Sequence, residues 1–394
     1  MKNPELLNQK SVINTSINWA MLSELKVNFT VEIINGIFEH QNHKLCNLCR
    51  NEKTGKARTL IFIDKVVDNI YSRTIKSYFN AHKIDFEWVT IDGNEESKNI
   101  ESVLTVATNI SQAGLLRRSE KIIAIGGGVV MDIVGFTANL HRRGIPYIRI
   151  PTTLMGQIDA GIGVKTGINY MGHKNRLGTY YAPVTALIDP IFLRSVSQRH
   201  ITNGVAEIIK MALIKDYQLF ETLEKIVDQL TPESFASFSP LHKEIIVRSI
   251  DGMLEELEPN LWEDNLERIV DYGHTFSPSL ELLSSPPLLH GEAVAVDMAL
   301  CIGISYARGL ISKTIADRSI RLIQNCNLPI QHPIFTPSLL EDALNDSIKH
   351  RDGLQRVPLM NGIGSAIFCN DISRQNLEEA LEYVSEYSEY EYKL

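Results

Sequence analysis

A chain of 394 residues is too long for one ordinary hydrophobic core, so we expect two domains of roughly 150–200 residues each. Its formal charge of −8 argues against a nucleic-acid binder or a protein of anionic membrane surfaces. The polar N-terminus has no signal-peptide core, and the apolar stretch 293–307, interrupted by Asp297, is too short to span a membrane. Five scattered cysteines suit a reducing compartment, so we predict a cytoplasmic protein.

The first half of the chain alternates between strand and helix patterns. Short apolar runs predict buried strands at 57–64, 85–92 and 121–126, and helical periodicity separates them at 67–81 and 98–116. A last strand is predicted at 186–189. This alternation is typical of a parallel sheet in a Rossmann-like α/β domain.

Helical periodicity dominates the second half, at 204–227, 243–257, 290–309 and 312–326. We therefore predict an NAD-binding α/β domain over residues 1–195 and an all-α domain over residues 196–394 that binds metal and substrate, with the boundary between Asp189 and Gln198. Residues 1–56 suggest at most an edge strand pair. Cys46 and Cys49 form a C-x-x-C pair, but without a second pair they favour a surface turn over a zinc or redox site.

Three glycines, Gly126–Gly128, stand between the third strand and a helix pattern. Glycines let backbone N–H groups approach a pyrophosphate, and the N-terminus of the following helix favours negative charge. The run is not G-x-G-x-x-G, so the motif alone leaves a tight turn open as an alternative. Its position after the third strand favours a cofactor loop.

A second segment, residues 142–176, concentrates cations and amide donors in glycine-rich sequence rather than on an amphipathic helix. A phosphate group carries about two negative charges and requires such donors. A solvated basic loop would explain the charge, but it would not explain the density of Gly, Thr and Asn.

Three candidate metal ligands lie in the helical half. Glu207 shares a helix face with Lys210, and His274 and His290 lie in the runs DYGHTFSP and LHGEAVA. Two histidines and one glutamate would leave coordination positions open for substrate oxygens. The three residues come from separate elements, so their spacing alone leaves an ordinary Glu–Lys pair as an alternative.

Together these segments resemble the dehydroquinate synthase superfamily of sugar phosphate cyclases over about residues 58–370. The resemblance rests on ordered motifs: GGGVVMDIVGF, RRGIPYIRIPTTL, the series Asp159–Lys165–Lys174–Asn175, GVAEIIK, GHTFS and LHGEAVA. It implies a dehydroquinate synthase-like fold, NAD, a divalent metal (zinc or cobalt), and a homodimer that acts on a small sugar phosphate.

The resemblance also assigns site residues. It implies that NAD is held by Asp64, Glu95, Lys98, Gly127, Gly128, Val129, Asp132, Thr152, Thr153 and Lys174. The implied metal ligands are Glu207, His274 and His290. Substrate and phosphate would be bound by Lys165, Lys174, Asn175 and Lys210, with Arg143 contributed by a partner subunit. The implied catalytic residues are Lys165, Lys210, Asp271, Glu267 and Asp159.

Departures from dehydroquinate synthase proper bear on the substrate. Counted without gaps from His274, that enzyme has Asn, Arg and Lys where this chain has Asp271, Glu267 and Met253, although the neighbouring Arg268 allows a one-residue slip. It also has a second His where this chain has Pro278. The changes remove cations and add carboxylates, and a buried carboxylate without a partner is costly. Sedoheptulose 7-phosphate, a neutral ketose, therefore suits the site better than 3-deoxy-arabino-heptulosonate 7-phosphate.

The GHTFSP form resembles the 2-epi-5-epi-valiolone synthase branch of the superfamily. We therefore predict a phosphate-eliminating lyase that cyclises sedoheptulose 7-phosphate through transient oxidation by NAD, elimination, reduction and an aldol step. 3-Dehydroquinate synthase, 2-epi-valiolone synthase and 2-deoxy-scyllo-inosose synthase stay open as alternatives. A polyol dehydrogenase would accumulate NADH and needs no phosphate site, and a non-catalytic NAD-binding regulator would not need the intact metal ligands.

Overall fold

The computed structural model describes residues 21, 23 and 26–387 of the protein. The strands are β1 (Thr30–Ile33), β2 (Arg58–Asp64), β3 (Asp85–Ile91), β4 (Lys121–Gly126), β5 (Tyr147–Pro151), β6 (Lys165–Tyr170), β7 (His173–Tyr180), β8 (Thr185–Ile188), β9 (Val357–Gly362) and β10 (Ser365–Cys369). The helices are α1 (Lys44–Cys49), α2 (Lys65–Ala81), α3 (Ile100–Ala113), α4 (Gly128–Leu140), α5 (Gln198–Ile214), α6 (Tyr217–Ile226), α7 (Pro232–Ser237), α8 (Pro240–Leu257), α9 (Ser277–Leu283), α10 (His290–Ala307), α11 (Lys313–Asn325), α12 (Pro337–His350) and α13 (Arg374–Ser385).

A six-stranded parallel sheet forms the centre of the N-terminal half, in the order β1–β8–β5–β4–β2–β3. Apolar residues from α3 and α4 pack on one face of this sheet, and residues from α1 and α2 pack on the other. Strands covered on both faces need continuous apolar runs, which explains Leu60–Ile63 and Ile122–Ile125. The predicted parallel α/β sheet is confirmed.

The order of the strands creates a crevice at the carboxyl ends of β2 and β4. β3 lies on one side of β2 and β4 lies on the other, so the connections leave β2 and β4 in opposite directions. Ligands of open α/β sheets bind at such switch points, beside the carboxyl ends of the strands. Asp64 ends β2 and Gly126 ends β4, so both lie at this crevice.

The segment before β2 differs from the expectation. Its strand β1 pairs with β8 at the edge of the sheet, so the suggested strand pair is a single strand in the described residues. Cys46 and Cys49 lie on α1 and are only 4% and 2% exposed, packed with the sheet residues of that face. The structure thus corrects the surface-turn interpretation, because a helix places both thiols on its inner side.

The C-terminal half is helical, as predicted, with an added antiparallel hairpin of β9 and β10. The predicted helix at 204–227 is two helices, because the backbone leaves the helical conformation at Lys215 and Asp216 caps α6. The apolar core of this half includes Leu154 and Ile158, which follow β5, so the two halves pack together. Among the described helices, none has the length and apolar character required to cross a bilayer.

Candidate active site

Three metal-ligand side chains meet between the two halves of the molecule. Glu207 lies on α5, His274 in the turn before α9, and His290 at the first residue of α10. Glu207 Oε1 lies 3.7 Å from His274 Nε2 and 3.5 Å from His290 Nε2. One donor atom from each residue lies within 4.8 Å of the other two. The structure therefore brings together the three residues that the resemblance implies as ligands.

The electrostatics of this cluster suit a cation. Both carboxylate oxygens of Glu207 are buried without a hydrogen bond of good geometry, although the Lys210 ammonium contacts one of them. Burial disfavours the charge on Glu207, but Lys210 and the two histidines outweigh it and hold its pKa well below the ordinary value. Burial also opposes charge on His290, yet Glu207 and Glu281 raise its pKa to about 10. A divalent ion bound by His290 Nε2 would take the place of this proton.

The second nitrogen of each histidine is held by a group outside the cluster. His274 Nδ1 lies 2.9 Å from the carbonyl oxygen of Tyr272, and His290 Nδ1 lies 3.0 Å from Glu281 Oε1. These contacts place a hydrogen on Nδ1 and turn Nε2 toward Glu207, as for histidines that bind metals. Burial and Lys210 lower the pKa of His274 to about 4, which keeps its Nε2 lone pair free.

Close backbone packing fixes the elements that carry the histidines. A Cβ on Gly291 would collide with the carbonyl oxygen of Asn203, so only glycine lets α10 approach α5 this closely. Gly273 has a φ of +76°, in the left-handed region that glycine adopts without strain. Asp297 on α10 accepts hydrogen bonds from the N–H groups of Phe276 and Ser277, at 2.5 and 2.7 Å. The turn that carries His274 is therefore tied to the helix that carries His290.

Sequence reasoning missed Glu281, which joins the cluster to β7. Its side chain is 6% exposed, and its two oxygens lie 3.0 Å from His290 Nδ1 and 2.5 Å from Lys174 Nζ. Burial opposes its charge, but His290 and Lys174 lower its pKa to about 2. A single glutamate on a short helix carries no motif, so only the tertiary contacts show its role.

Two of the predicted catalytic residues lie beside Glu207. Lys210 is 2% exposed, and Glu207 followed by Asp159 raises its pKa against the effect of burial. Burial raises the pKa of Asp159, while Lys210 opposes that shift. The charges of Lys210 and Asp159 therefore interact beside Glu207.

Lys165 interacts with the charge of Asp159 and contacts a residue that the sequence did not indicate. Its ammonium pairs with Glu263, which also pairs with Arg268. Arg268 in turn donates to Asp271 through Nε, at 3.1 Å. Although the Lys165 side chain is 55% exposed, the protein atoms around its ammonium reduce its hydration. This desolvation, followed by the positive charge of the nearby Arg268, lowers the pKa of Lys165 to about 8.

The structure does not place Glu267 in this group. Its side chain is exposed, and its backbone N–H donates to Asn265 Oδ1 at 3.0 Å. Arg268 and Glu263 are the residues of this loop that reach Asp271 and Lys165. A gap-free count from His274 selected Glu267. Such a count cannot show which side chain of a loop points toward Asp271 and Lys165.

The residues predicted to hold NAD surround the crevice at the carboxyl ends of β2 and β4. Gly127 caps α4, and Gly128 and Val129 are its first two residues. A Cβ on Gly127 would lie 3.2 Å from Thr153 Cγ2, and the Thr152 N–H donates to the Gly126 carbonyl at 2.9 Å. The chain therefore passes tightly under the N-terminus of α4, whose first N–H groups lack partners within the helix.

Asp64 lies next to this loop, where it caps α2 by accepting from the N–H groups of Val66 and Val67. A Cβ on Gly126 would lie 3.1 Å from the Asp64 Cβ. The end of β2 and the glycine loop therefore lie side by side, as neighbouring strands require.

A buried lysine joins two of the predicted groups. Lys98, 6% exposed, places its ammonium 2.5 Å from both Asp132 Oδ2 and Asn175 Oδ1. Glu95 accepts from Asn169 at 2.8 Å and lies 3.9 Å from Lys174. The structure thus places Asn175 with the cofactor residues, and Lys174 between them and Glu281.

Arg143 does not reach the cluster within one chain. It is exposed, has a φ of +60°, and its side chain makes no hydrogen bond or ion pair with any of residues 26–387. Sequence reasoning missed the fully buried Arg149 on β5, which contacts the carbonyl oxygens of Gly163 and Lys165. Arg149 therefore holds the loop that leads into Lys165.

Comparison with known proteins defines the class. The family models described as 3-dehydroquinate synthase N-terminal and 3-dehydroquinate synthase C-terminal match residues 88–203 and 204–349. The matched segments contain the glycine loop, the cluster of Glu207, His274 and His290, and the two lysines Lys165 and Lys210. The chain belongs to the dehydroquinate synthase family.

Its similar relatives are more specific. A 2-epi-5-epi-valiolone synthase of an Actinomyces species is 44% identical, over 93% of this chain and 98% of its own length. A second one, from Streptomyces albus, is 45% identical over 93% and 90% of the two chains. The solved structure of ValA, the 2-epi-5-epi-valiolone synthase of Streptomyces hygroscopicus subsp. jinggangensis, with NAD⁺ and Zn²⁺ bound, matches with a TM-score of 0.88. It is 42% identical, and the match covers 94% of this chain and all (100%) of that one.

Proposed function

We propose that this chain is a sugar phosphate cyclase that converts sedoheptulose 7-phosphate into 2-epi-5-epi-valiolone and inorganic phosphate. The reaction is a phosphate-eliminating carbocyclisation, which makes the enzyme a lyase, and it involves no net oxidation. Family membership and the relatives above support the reaction class. The choice of substrate depends on one feature of the pocket.

That feature is the charge balance of the loop opposite the three ligands. Lys165 and Arg268 supply two positive charges, and Glu263 and Asp271 supply two negative charges in contact with them. A substrate carboxylate entering here would find both cations already paired. Its charge would then lose hydration without gaining a partner, which costs several kcal/mol. A ketose end with hydroxyl groups needs only hydrogen bonds, which these paired side chains can give and accept.

The residues also suit both cofactors of the proposed reaction. Glu207, His274 and His290 would hold a zinc or cobalt ion, and the residues around Gly127 would hold NAD on the N-terminus of α4. The metal would supply Lewis acidity at a substrate hydroxyl, and NAD would supply a reversible two-electron acceptor.

The protein's own side chains would position the substrate and manage its charges. Lys210 contacts Glu207 and interacts with the charge of Asp159, so these two residues are the proposed groups that balance charge and move protons beside the three ligands. Lys174 and Asn175 lie at the junction with the cofactor residues, where they can bind phosphate. Lys165 and Asp271 would orient the ketose end. Holding one flexible sugar in a single pose supplies the proximity that the aldol closure requires.

The proposal also keeps the homodimer and the cytoplasmic location predicted from the sequence. The exposed position of Arg143, away from the cluster of its own chain, supports a role in a partner's pocket. All five cysteines are unpaired, which agrees with a reducing compartment.

A substrate comparison tests the proposal. The purified enzyme, loaded with Zn²⁺ or Co²⁺ and NAD, is given sedoheptulose 7-phosphate or 3-deoxy-arabino-heptulosonate 7-phosphate, and phosphate release is measured. We expect at least about 100-fold faster release from the ketose, equivalent to about 2.7 kcal/mol. NMR of the product then distinguishes 2-epi-5-epi-valiolone from 2-epi-valiolone. Faster release from the heptulosonate would indicate 3-dehydroquinate synthase, and steady NADH accumulation would indicate a polyol dehydrogenase.

A further inference from the structure

A second group of side chains of the types that bind metals lies where the start of α1 and the end of α2 meet, on the face of the sheet that these two helices cover. His43 caps the N-terminus of α1, Cys46 lies one helical turn further on, and His82 caps the C-terminus of α2. His43 Nδ1 lies 3.9 Å from Cys46 Sγ, and the two imidazole rings are 5.1 Å apart between centroids. One donor atom from each residue lies within 4.8 Å of the other two.

The polar atoms of this group are poorly satisfied by the protein. His82 Nε2 is buried and has no hydrogen-bond partner. The Cys46 thiol, on a side chain 4% exposed, makes weak sulfur contacts with the His43 carbonyl oxygen at 3.2 Å and with Asn47 Oδ1 at 3.9 Å. Buried polar atoms of native proteins almost always have a partner, and an ion is one explanation for an exception. Burial, followed by the nearby His43, lowers the pKa of His82.

We propose that His43, Cys46 and His82 bind a divalent ion of the zinc class, with water as the fourth ligand. A thiolate and two imidazoles favour zinc over the hard ions magnesium and calcium. Metal–ligand bonds of about 2.0–2.3 Å in a tetrahedron place donor atoms about 3.3–3.7 Å apart. The observed spacing therefore needs only small side-chain rotations. Because His43 is exposed, the ion has a route in, and the water has a position on the outer side.

The structural consequence is a clamp between two helices. α1 and α2 both pack on the same face of the sheet, and the ion would join the start of α1 to the end of α2. This site shares no ligand with Glu207, His274 and His290, and it does not depend on the proposed reaction. Its expected role is to hold the segment that follows β1 against the rest of the sheet.

Cobalt titration tests the site, because thiolate-to-cobalt charge transfer absorbs in the near ultraviolet. The Glu207 cluster contains no sulfur, so this band reports only the proposed site. We expect the metal-free full-length protein to bind two Co²⁺ per chain and to develop the band. The variant Cys46→Ser is expected to lose the band and one ion, with at least about 100-fold weaker binding at this site, since even outer-shell changes cost 10–100-fold.

Two further variants guard against a folding artefact. Cys49→Ser alters a neighbouring buried thiol outside the group and is expected to keep both ions and the band. His43→Gln alters an exposed side chain, so it should fold normally, yet it is expected to weaken the band. A single Co²⁺ per chain without a sulfur band, or a band that survives Cys46→Ser, would overturn the proposal. A band that persists in His274→Ala would show that the two sites are separate whatever the reaction proves to be.

Discussion

The cluster of Glu207, His274 and His290 and the loop of Glu263, Arg268 and Asp271 are linked through Lys210, which interacts with both Glu207 and Asp271, but they are built differently. In the cluster, each histidine is held by a group outside it, so the donor atoms point at one another without being satisfied. In the loop, the charges satisfy one another, together with Lys165. The cluster is thus arranged to receive a cation, whereas the loop is arranged to receive an uncharged partner. We therefore propose that the cluster provides catalytic power and that the loop determines substrate choice.

The largest loss of activity is expected when His274, one of the three proposed metal ligands of the cluster, is replaced. His274→Ala removes one of three donors, so the enzyme should lose its bound metal and about 1,000-fold in phosphate release. The magnitude follows because a Lewis acid supplies several kcal/mol and each 1.36 kcal/mol is tenfold in rate. Metal content and phosphate release are measured together. His350→Ala, which changes an exposed histidine on α12, should match the wild type.

A metal-free His274→Ala enzyme with undiminished activity would refute the role of the cluster. Addition of a strong chelator to the wild type should reproduce the variant's loss, and addition of Zn²⁺ or Co²⁺ should restore only the wild type.

A smaller effect is expected for the group that orients His290. Glu281→Gln weakens the contact with His290 Nδ1, so metal affinity should fall about 10–100-fold. Lys174→Met is the matched variant, because it removes the other partner of Glu281 but leaves the contact with His290. Its metal affinity should fall less than about threefold, while its KM for the sugar phosphate rises. Equal losses of metal affinity in the two variants would mean that Glu281 does not act through His290.

The loop is expected to respond through substrate choice rather than metal content. Glu263→Gln leaves Lys165 and Arg268 with less negative charge nearby, so the ratio of heptulosonate to ketose turnover should rise about tenfold, or 1.4 kcal/mol. Glu267→Gln, four residues along the same loop and exposed, should change that ratio less than about twofold. If Glu267 gives the larger effect, the charge balance drawn from the structure is wrong and the gap-free count from His274 is right.

The difference between Glu263 and Glu267 also shows which features could be predicted from the sequence alone and which could not. The parallel sheet and the glycine loop were predictable because apolar runs and glycines act locally, within about ten residues. The three ligands come from α5, a turn and α10, so only the resemblance to a family joined them before the structure did. Helix packing through Gly291 then explains why they meet.

The residues that were missed are charged side chains whose partners lie in other elements of the fold. Glu281 contacts Lys174 across 107 positions, and Arg149 contacts backbone carbonyls of a later loop. Arg149 lies within the quoted run RRGIPYIRIPTTL, but nothing in that run shows which carbonyl groups its side chain reaches, and the ion pair of Glu281 imposes no period on the sequence around it. The packing of Cys46 and Cys49 was missed for a related reason, since a six-residue helix is too short to show a clear periodicity.

The smallest predicted effect concerns the pH dependence of Lys165, which contacts the loop through Glu263 and interacts with the charges of Asp159 and Lys210. Crowding by protein and the positive charge of Arg268 lower its pKa to about 8, partly opposed by Asp271. A charged ammonium is the form that donates to the substrate, so kcat/KM should fall as pH rises through about 8. In Lys165→Arg the side chain stays charged beyond pH 10. That variant should therefore lose a few-fold in kcat/KM at pH 7 from its altered shape, but it should lack the alkaline decline. A decline unchanged in the arginine variant would assign the titration to another group, and the balance of the loop would then not depend on Lys165.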